Sequence, residues 1–256
     1  MSPATSDERR ATKGCRDELA TRHASLVVSI IIPALDEEET LPATLASALG
    51  QPGPKEIIVA DGGSGDATRQ IAGRAGVTVV CAPRGRARQM NAGAAMATGD
   101  ALLFLHADTQ LPDGALDCVR EALHGGSTAG CFRLRFDRGG FWLWLWSRPA
   151  WMHWHRWAFG DRALFVRRTD FDAVGGFPDQ PIFEELDLVR SLRRRGRFAF
   201  LPEAVVTSAR RFEAVGALRQ QLRNWALWGA WCLGVDPERV ARFYPTHKQT
   251  AGTDST

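Results

Sequence analysis

The feature that most constrains this chain is a regular alternation of short apolar segments with segments of helical character. Four apolar segments lie between residues 26 and 108, and they read LVVSIIIP, KEIIVAD, VTVVCA and DALLFLHAD. Uninterrupted apolar runs of this length are typical of strands buried on both faces. Because one helix separates each pair of strands, the pattern predicts an α/β fold with a mostly parallel sheet flanked by helices. The first of these helices is predicted within DEEETLPATLASALG, with acidic residues in its first turn.

The second half of the chain predicts mixed elements followed by a helical appendage. AGCFRLRF, RALFVRR and FAFLP predict strands, FEELDLVRSLRRRG predicts a helix, and a last helix is expected from about Ala214 to Leu233. We therefore expect one α/β domain over residues 25–207 and a C-terminal helical segment over residues 208–244. Residues 1–24 and 245–256 are polar, and we expect them to be a disordered lead-in and tail.

Composition excludes several classes of function. The net charge of +3 is too small to suggest a nucleic-acid partner. The five cysteines are odd in number and contain no CxxC pair, which favours a reducing compartment over a disulfide framework or a zinc site. No uncharged apolar stretch approaches the roughly 20 residues that a membrane-spanning helix needs. We therefore expect a cytoplasmic protein.

Polar residues stand where the predicted strands end. Asp61 ends the second strand, and His106 and Asp108 end the fourth. In parallel sheets the ligand site lies at the carboxyl ends of the strands. Since side chains two residues apart on a strand point the same way, we expect His106 and Asp108 to share one target. The simpler interpretation of FLHADTQLP is a capped turn in which Asp108 accepts a backbone N–H.

The glycine-rich loop after the second strand limits the nucleotide chemistry. It has neither the GK[ST] of a P-loop nor the spacing of a dinucleotide fingerprint. A methyltransferase loop is closer, but the third strand ends in CAPRGR rather than in an acid that could hold ribose hydroxyls. Arg86 at a helix start suits a phosphate, and Asp108 suits a hard divalent cation. Together with Asp61 as a base-binding carboxylate, they predict a nucleoside-diphosphate site.

Four segments, in the right order, resemble the family 2 glycosyltransferases. VSIIIPALDEEETL resembles their first strand and helix, and EIIVADGGSGDAT resembles the strand and loop that hold the nucleotide base. GRARQMNAGAAMATGDALLFLHAD resembles the helix and strand that lead to the DxD motif, and VGGFPDQPIFEELDLVRSLRRRG resembles the acceptor loop and the ED helix. The resemblance runs from about Leu26 to Pro202. It is strongest to the small single-domain branch labelled rSAM/selenodomain-associated or arsenosugar-type transferase, a label of association more than of activity.

The resemblance implies a GT-A (Rossmann-like) fold and a set of site residues. It implies that Glu185 is the catalytic base and that Asp108, with His106, binds a divalent metal, Mn²⁺ or Mg²⁺. Its nucleotide-binding residues would be Pro33, Ala34, Glu37, Asp61 and Arg86. Residues near the acceptor or the diphosphate would be Gly176, Asp161, Asp187, Arg210 and Arg211. Two of these residues depart from the family pattern, because His106 replaces the first acid of DxD and Glu185 replaces the aspartate of ED.

The activity that the resemblance implies is inverting, metal-assisted transfer of a sugar from a nucleotide sugar. A UDP-sugar is the expected donor, and a small molecule or a lipid is the expected acceptor. Two alternatives stay open at this point. One is a nucleotide-sugar-binding protein without turnover, and the other is an S-adenosylmethionine-dependent methyltransferase.

The tryptophans form two groups along the chain. They are Trp142, Trp144, Trp146, Trp151, Trp154 and Trp157, followed by Trp225, Trp228 and Trp231. We expect the two segments to pack on each other over the acceptor side of the sheet. The alternative is an interfacial belt, with Arg138, Arg148 and Arg156 facing lipid headgroups. In that case the acceptor would be a lipid and the protein would be peripheral at the inner face of the membrane.

Overall fold

The computed structural model describes residues 26–137, 162–208, 226–227 and 229–241. In this part of the chain, eight strands form one mixed sheet in the order β3-β2-β1-β4-β7-β6-β8-β5. The strands are β1 Val28–Ala34, β2 Lys55–Asp61, β3 Thr78–Cys81, β4 Ala101–Phe104, β5 Thr109–Gln110, β6 Ser127–Phe136, β7 Leu164–Arg167 and β8 Arg197–Thr207.

Seven helices have both ends within the same residues, and residues 226–227 and 229–232 are also helical. The seven helices are α1 Leu41–Leu49, α2 Thr68–Arg74, α3 Arg86–Met96, α4 Ala115–His124, α5 Arg168–Ala173, α6 Glu184–Arg195 and α7 Pro237–Ala241. None of the helices in the described ranges is long and apolar enough to cross a membrane. The proposed lead-in and tail, and most of the helix predicted from Ala214 to Leu233, lie outside the described residues.

The first half of the sheet is parallel, as predicted. β1 lies between β2 and β4 and pairs with both in parallel, and β2 pairs in parallel with β3. Every residue of β1 is buried, which explains its uninterrupted apolar sequence. Alternate side chains of β1 serve opposite faces of the sheet. Ile30 and Ile32 belong to the core cluster that includes α1 and α4, whereas Ile31 belongs to the cluster that includes α3 and α6.

The second half of the sheet mixes orientations. β7 is antiparallel to β4 and to β6, and β8 is parallel to β6. β8 is longer than the predicted FAFLP, because it continues past Pro202 to Thr207. The pairing with β6 is irregular opposite Pro202, and β5 meets β8 only at Val206 and Thr207. The missing N–H of Pro202 is therefore tolerated within a strand.

Two helix predictions need correction. Helix α1 begins at Leu41, so the acidic residues at 36–39 precede it instead of occupying its first turn. Pro42 is in that first turn, where its lack of an N–H costs nothing. Helix α5 was not predicted, because its six residues are too few to produce a periodic pattern.

Helix α3 packs unusually close to β1. A Cβ atom built on Gly93 would lie 2.5 Å from Cγ2 of Ile31, so only glycine allows this separation. Since α3 follows β3 after a short loop, its first residue, Arg86, lies at the carboxyl edge of the parallel strands. The packing of α3 therefore determines where Arg86 stands.

Candidate active site

Asp61 is a buried carboxylate at the end of β2. Its side chain is 1% exposed. It accepts hydrogen bonds from the backbone N–H groups of Gly63 at 3.0 Å and Ser64 at 3.1 Å, and Arg69 Nε lies 3.8 Å from it. Gly63 has a φ of 89°, a left-handed conformation that glycine adopts without strain. Asp61 thus shapes the glycine-rich loop that follows it, and its contact with a base stays a prediction.

The loops after β1 and β2 are joined by side-chain-to-backbone hydrogen bonds. Asp36 accepts from the N–H of Gly65 at 2.7 Å, and its own N–H donates to Ser64 at 3.0 Å. The N–H of Glu37 donates to Thr68 Oγ1 at 2.8 Å, and Glu38 accepts from the N–H of Ala67 at 2.9 Å. The acidic run therefore joins two loops, a role that the sequence analysis missed.

Gln89 ties the ends of β1 and β2 together. Its Nε2 donates to the carbonyls of Ala34 at 2.7 Å and Ala60 at 2.9 Å. The Ala34 carbonyl also accepts from the N–H of Gly62 at 2.9 Å. The Ala34 carbonyl thus already accepts two hydrogen bonds, and the expected contact of a nucleotide with the backbone of Ala34 stays a prediction. Pro33 is buried beside it at the end of β1.

Arg86 is paired with the first residue of helix α6. Its Nε donates to Glu184 Oε1 at 2.7 Å. Glu184 is 2% exposed, and its Oε2 is buried without a hydrogen-bond partner among the described residues. Glu184 is therefore the residue that holds the Arg86 guanidinium.

His106 and Asp108 lie on a turn, so the strand argument for their shared direction was wrong. β4 ends at Phe104, and the N–H of Thr109 bonds to the His106 carbonyl at 3.0 Å. Ala107 between them is buried, and its carbonyl accepts from Thr44 Oγ1 at 2.8 Å. His106 and Asp108 themselves are partly exposed on either side of this anchor.

Glu185 reaches the same turn from helix α6. Its Oε1 lies 3.0 Å from His106 Nε2, across 79 residues of sequence. The side chains of His106 and Glu185 are 13% and 15% exposed. The residue at the general-base position therefore contacts the residue at the first DxD position.

Asp187 and Gly176 make structural contacts on either side of Glu185 in the sequence. Asp187 accepts from Gln180 Nε2 at 2.8 Å and from Trp231 Nε1 at 3.3 Å. Gly176 has a φ of 75°, and a Cβ there would lie 2.8 Å from Asn91 Oδ1. Its glycine is thus required by the turn that leads to α6.

Several predicted residues lie outside the described ranges. They are Asp161, Arg210, Arg211, and all the tryptophans except Trp231. Within the described residues, no group of three or more His, Cys, Asp or Glu side chains could hold a metal ion. Magnesium is commonly bound by one or two carboxylates together with substrate phosphates. A site with fewer than three protein ligands is therefore still compatible with binding of a divalent metal together with a nucleotide.

The model for glycosyl transferase family 2 matches residues 29–178 of the chain. The chain belongs to this family. An uncharacterized glycosyltransferase of Mycobacterium tuberculosis is 34% identical over 119 residues, which are 46% of this chain and 53% of that protein. The chain thus spans about half the length of the curated relatives it matches. The family assignment confirms the predicted family and removes the methyltransferase alternative, while the finer branch label stays a prediction.

Solved structures with the same fold confirm the predicted GT-A architecture. Glucosyl-3-phosphoglycerate synthase from Mycobacterium tuberculosis, in complex with Mn²⁺, UDP and glucosyl-3-phosphoglycerate, has a TM-score of 0.60 and 21% identity. The match covers 86% of this chain and 84% of that one. The mannosyltransferase PcManGT from Pyrobaculum calidifontis, in complex with GDP-Man and Mn²⁺, has a TM-score of 0.59 and 19% identity, over 79% of this chain and 60% of that one.

Proposed function

We propose that this protein transfers a sugar from a nucleoside-diphosphate sugar to an acceptor hydroxyl, with inversion at the anomeric carbon. The observation that carries the proposal is the 3.0 Å contact between Glu185 and His106. It brings a carboxylate from the acceptor side of the fold to the turn that also carries Asp108. A base beside the position of a diphosphate is the arrangement that a single displacement at a sugar carbon needs.

The donor half of the site is formed by the ends of β1 and β2 and the start of α3. Asp61 would bind the base, Pro33, Ala34 and Glu37 would line the pocket, and Arg86 would bind the diphosphate. An arginine held by a buried carboxylate enters binding already oriented. UDP in the synthase structure and GDP-Man in the mannosyltransferase structure support a nucleotide-sugar donor. We favour a UDP-sugar because the synthase match covers more of both chains.

The residues on the turn after β4 fit a divalent metal. Asp108 offers a partly exposed carboxylate, the hard oxygen donor that Mn²⁺ and Mg²⁺ prefer. His106 is the second candidate ligand from the sequence. When bound, the metal would neutralise charge that develops on the departing diphosphate. Mn²⁺ or Mg²⁺ in the synthase structures supports this assignment.

The chain's own residues carry the remaining steps. Glu185 would accept the proton of the acceptor hydroxyl while that oxygen bonds to the anomeric carbon. The bond from this carbon to the diphosphate oxygen breaks at the same time, and its electron pair leaves with the nucleotide. Arg86 would stabilise that leaving group through charge-assisted hydrogen bonds. Attack from the face opposite the leaving group inverts the configuration.

The acceptor side is bordered by the 175–183 loop, the start of α6 and Trp231. We propose a small molecule or a lipid as the acceptor, with Gly176 and Asp187 shaping its site and with Asp161, Arg210 and Arg211 as candidates outside the described ranges. A cytoplasmic location is supported by the free thiols of Cys81, Cys118, Cys131 and Cys232. Contact with the inner face of the membrane is proposed only for the case in which the tryptophans form an interfacial belt.

A panel of nucleotide sugars tests the proposal. Thermal unfolding is recorded with UDP- and GDP-sugars, with and without Mn²⁺, and hydrolysis or transfer of the stabilising sugar is then assayed. A ligand at a hundred times its Kd should add about 2.7 kcal/mol to the free energy of unfolding. Stabilisation without hydrolysis or transfer to any acceptor would favour the non-catalytic alternative. Absence of stabilisation by every nucleotide sugar would overturn the proposed donor class.

A further inference from the structure

We propose that His106 is a positioning residue that holds the Glu185 carboxylate, and that it does not coordinate the metal. The inference rests on the proposed function, because it assumes that Glu185 is the base. The contact that carries it is the 3.0 Å approach of His106 Nε2 to Glu185 Oε1. Both side chains are mostly buried, so water competes weakly for this hydrogen bond.

The chemistry of the pair sets the direction of the hydrogen bond. A general base must be ionised before it can accept a proton, and an ionised carboxylate only accepts hydrogen bonds, so in the base-competent state His106 Nε2 is the donor. This nitrogen donates to Glu185 and therefore has no lone pair for a metal. An aspartate at position 106 would be too short to reach Glu185 in the same way, and as an ionised carboxylate it would have no proton to donate.

The length of the Glu185 side chain explains why its carboxylate needs a hydrogen-bond partner to fix its position. Glutamate has one more rotatable side-chain bond than aspartate, so its carboxylate samples more positions unless something fixes it. His106 is itself fixed, because it belongs to a turn whose next residue, Ala107, is buried and bonded to Thr44. The two departures from the family pattern, His106 and Glu185, are thus in contact. The histidine fixes the longer side chain of the glutamate, and the glutamate is long enough to reach the histidine.

The same hydrogen bond would serve a different purpose if His106 coordinated the metal through Nδ1. Glu185 would then orient a metal ligand, as carboxylates often do for metal-binding histidines. The preference of Mg²⁺ and Mn²⁺ for oxygen donors favours the positioning role. The residue before Glu185 on helix α6 has a comparable role, because Glu184 holds the side chain of Arg86 on the donor side of the site.

Three variants at position 106 distinguish the two roles. The amide nitrogen of glutamine reaches about as far as Nε2 of histidine, whereas that of asparagine reaches only about as far as Nδ1. We therefore compare His106→Gln, His106→Asn and His106→Ala by the kcat for sugar transfer, the donor KM and the Mn²⁺ dependence of UDP binding. Thermal unfolding of each variant identifies any loss of fold.

The positioning role predicts an effect on turnover that glutamine repairs. His106→Ala and His106→Asn should lower kcat by about tenfold or more, because a displaced base loses its alignment. His106→Gln should recover most of kcat, and Mn²⁺-dependent UDP affinity should stay within about twofold in all three variants. Loss of Mn²⁺ affinity in both His106→Ala and His106→Gln would overturn the inference in favour of a metal ligand.

A double variant separates this inference from the proposed function. In a Glu185→Gln background, His106→Ala should cause no further loss of kcat, since the two residues act as one unit. Full activity of Glu185→Gln would refute the base assignment itself, and the role of His106 with it. An inactive Glu185→Gln beside a fully active His106→Ala would refute only the positioning role.

Discussion

Two neighbouring glutamates at the start of α6 have different partners and different surroundings. Glu184 is buried and pairs with Arg86, whereas Glu185 is partly exposed and contacts His106. Successive residues of a helix point about 100° apart, so one backbone turn directs two carboxylates at two neighbouring loops. The sequence alone indicated which of the two was the base candidate. It could not indicate the partner of either one, because each partner is about 80 to 100 residues away in the chain.

Exchanging each glutamate for glutamine should separate turnover from donor affinity. Glu185→Gln keeps the size of the side chain but cannot accept a proton, so transfer should fall by about 10²-fold or more, with UDP affinity within a few-fold. Glu184→Gln weakens the hold on Arg86, so UDP affinity should fall by about tenfold, with a smaller change in kcat. Steady-state kinetics and UDP titration of both variants check this. If Glu184→Gln loses turnover and Glu185→Gln keeps it, the base assignment is one residue out.

Asp108→Asn should abolish the Mn²⁺-dependent part of UDP binding, because a neutral amide oxygen is a much weaker ligand for a hard cation. The measurement is UDP affinity by calorimetry with Mn²⁺ and with a chelator. Asp117→Asn is the control, since Asp117 is 57% exposed on α4 and pairs with Arg120 at 2.8 Å. Equal Mn²⁺ dependence in the wild type and Asp108→Asn would remove Asp108 from the metal site.

At the scale of elements, the parallel strands and the helices between them were predictable, whereas the contacts of the loops at the carboxyl ends of the strands were not. β1, β4 and the last five residues of β2 are buried, and this burial accounts for their apolar character. The turn at His106–Thr109 was one of two interpretations of FLHADTQLP, because this segment begins as a strand and gives no sign of where the strand ends. The hydrogen bonds between the loops after β1 and β2 join residues about 30 positions apart, and local patterns do not encode such pairings.

Glu56, at the start of β2, should make stability depend on pH. Burial raises the pKa of this carboxyl, but hydrogen bonds from Ser29, Thr98 and Gly99 outweigh burial and bring the pKa below its ordinary value of 4.5. The folded state thus has the lower pKa, so the stabilisation is complete above the unfolded pKa and is lost as the pH falls through the folded one. Glu56→Gln should be less stable than the wild type at pH 7, and the difference should shrink below about pH 4.5. Urea unfolding over a pH series measures it, and a constant difference would contradict the assignment.

Trp231 anchors the described C-terminal segment to the start of α6. Its N–H bonds to Asp187, its ring centroid lies 6.5 Å from that of Phe183, and the Arg190 guanidinium lies 5.9 Å from it. Trp231→Ala should therefore raise the acceptor KM several-fold, and Trp231→Phe should do so less, because phenylalanine keeps an aromatic ring. UDP affinity should not change in either variant. A parallel loss of UDP affinity would mean that the fold, and not the acceptor side, had been disturbed.

For the whole molecule, the sheet divides into a parallel half and a mixed half, and α6 joins the two. The family match ends at residue 178, before Glu184 and Glu185, so the base candidate lies outside the matched segment. The fold was therefore predictable from motifs, and the roles of the donor-side residues stay predictions. The joining of the halves depended on contacts that become visible only in three dimensions, namely Glu184 with Arg86 and Glu185 with His106.

The hydrogen bonds between the loops after β1 and β2 have a thermodynamic consequence. Asp36, Glu37 and Glu38 hold Ser64, Gly65, Ala67 and Thr68 in place through hydrogen bonds within the protein. A pocket whose walls are ordered beforehand gives up little conformational entropy when a ligand enters. Backbone amides of these loops should exchange slowly with deuterium even in the apo protein. Addition of a nucleotide should therefore change their exchange rates little, because the loops are ordered before binding.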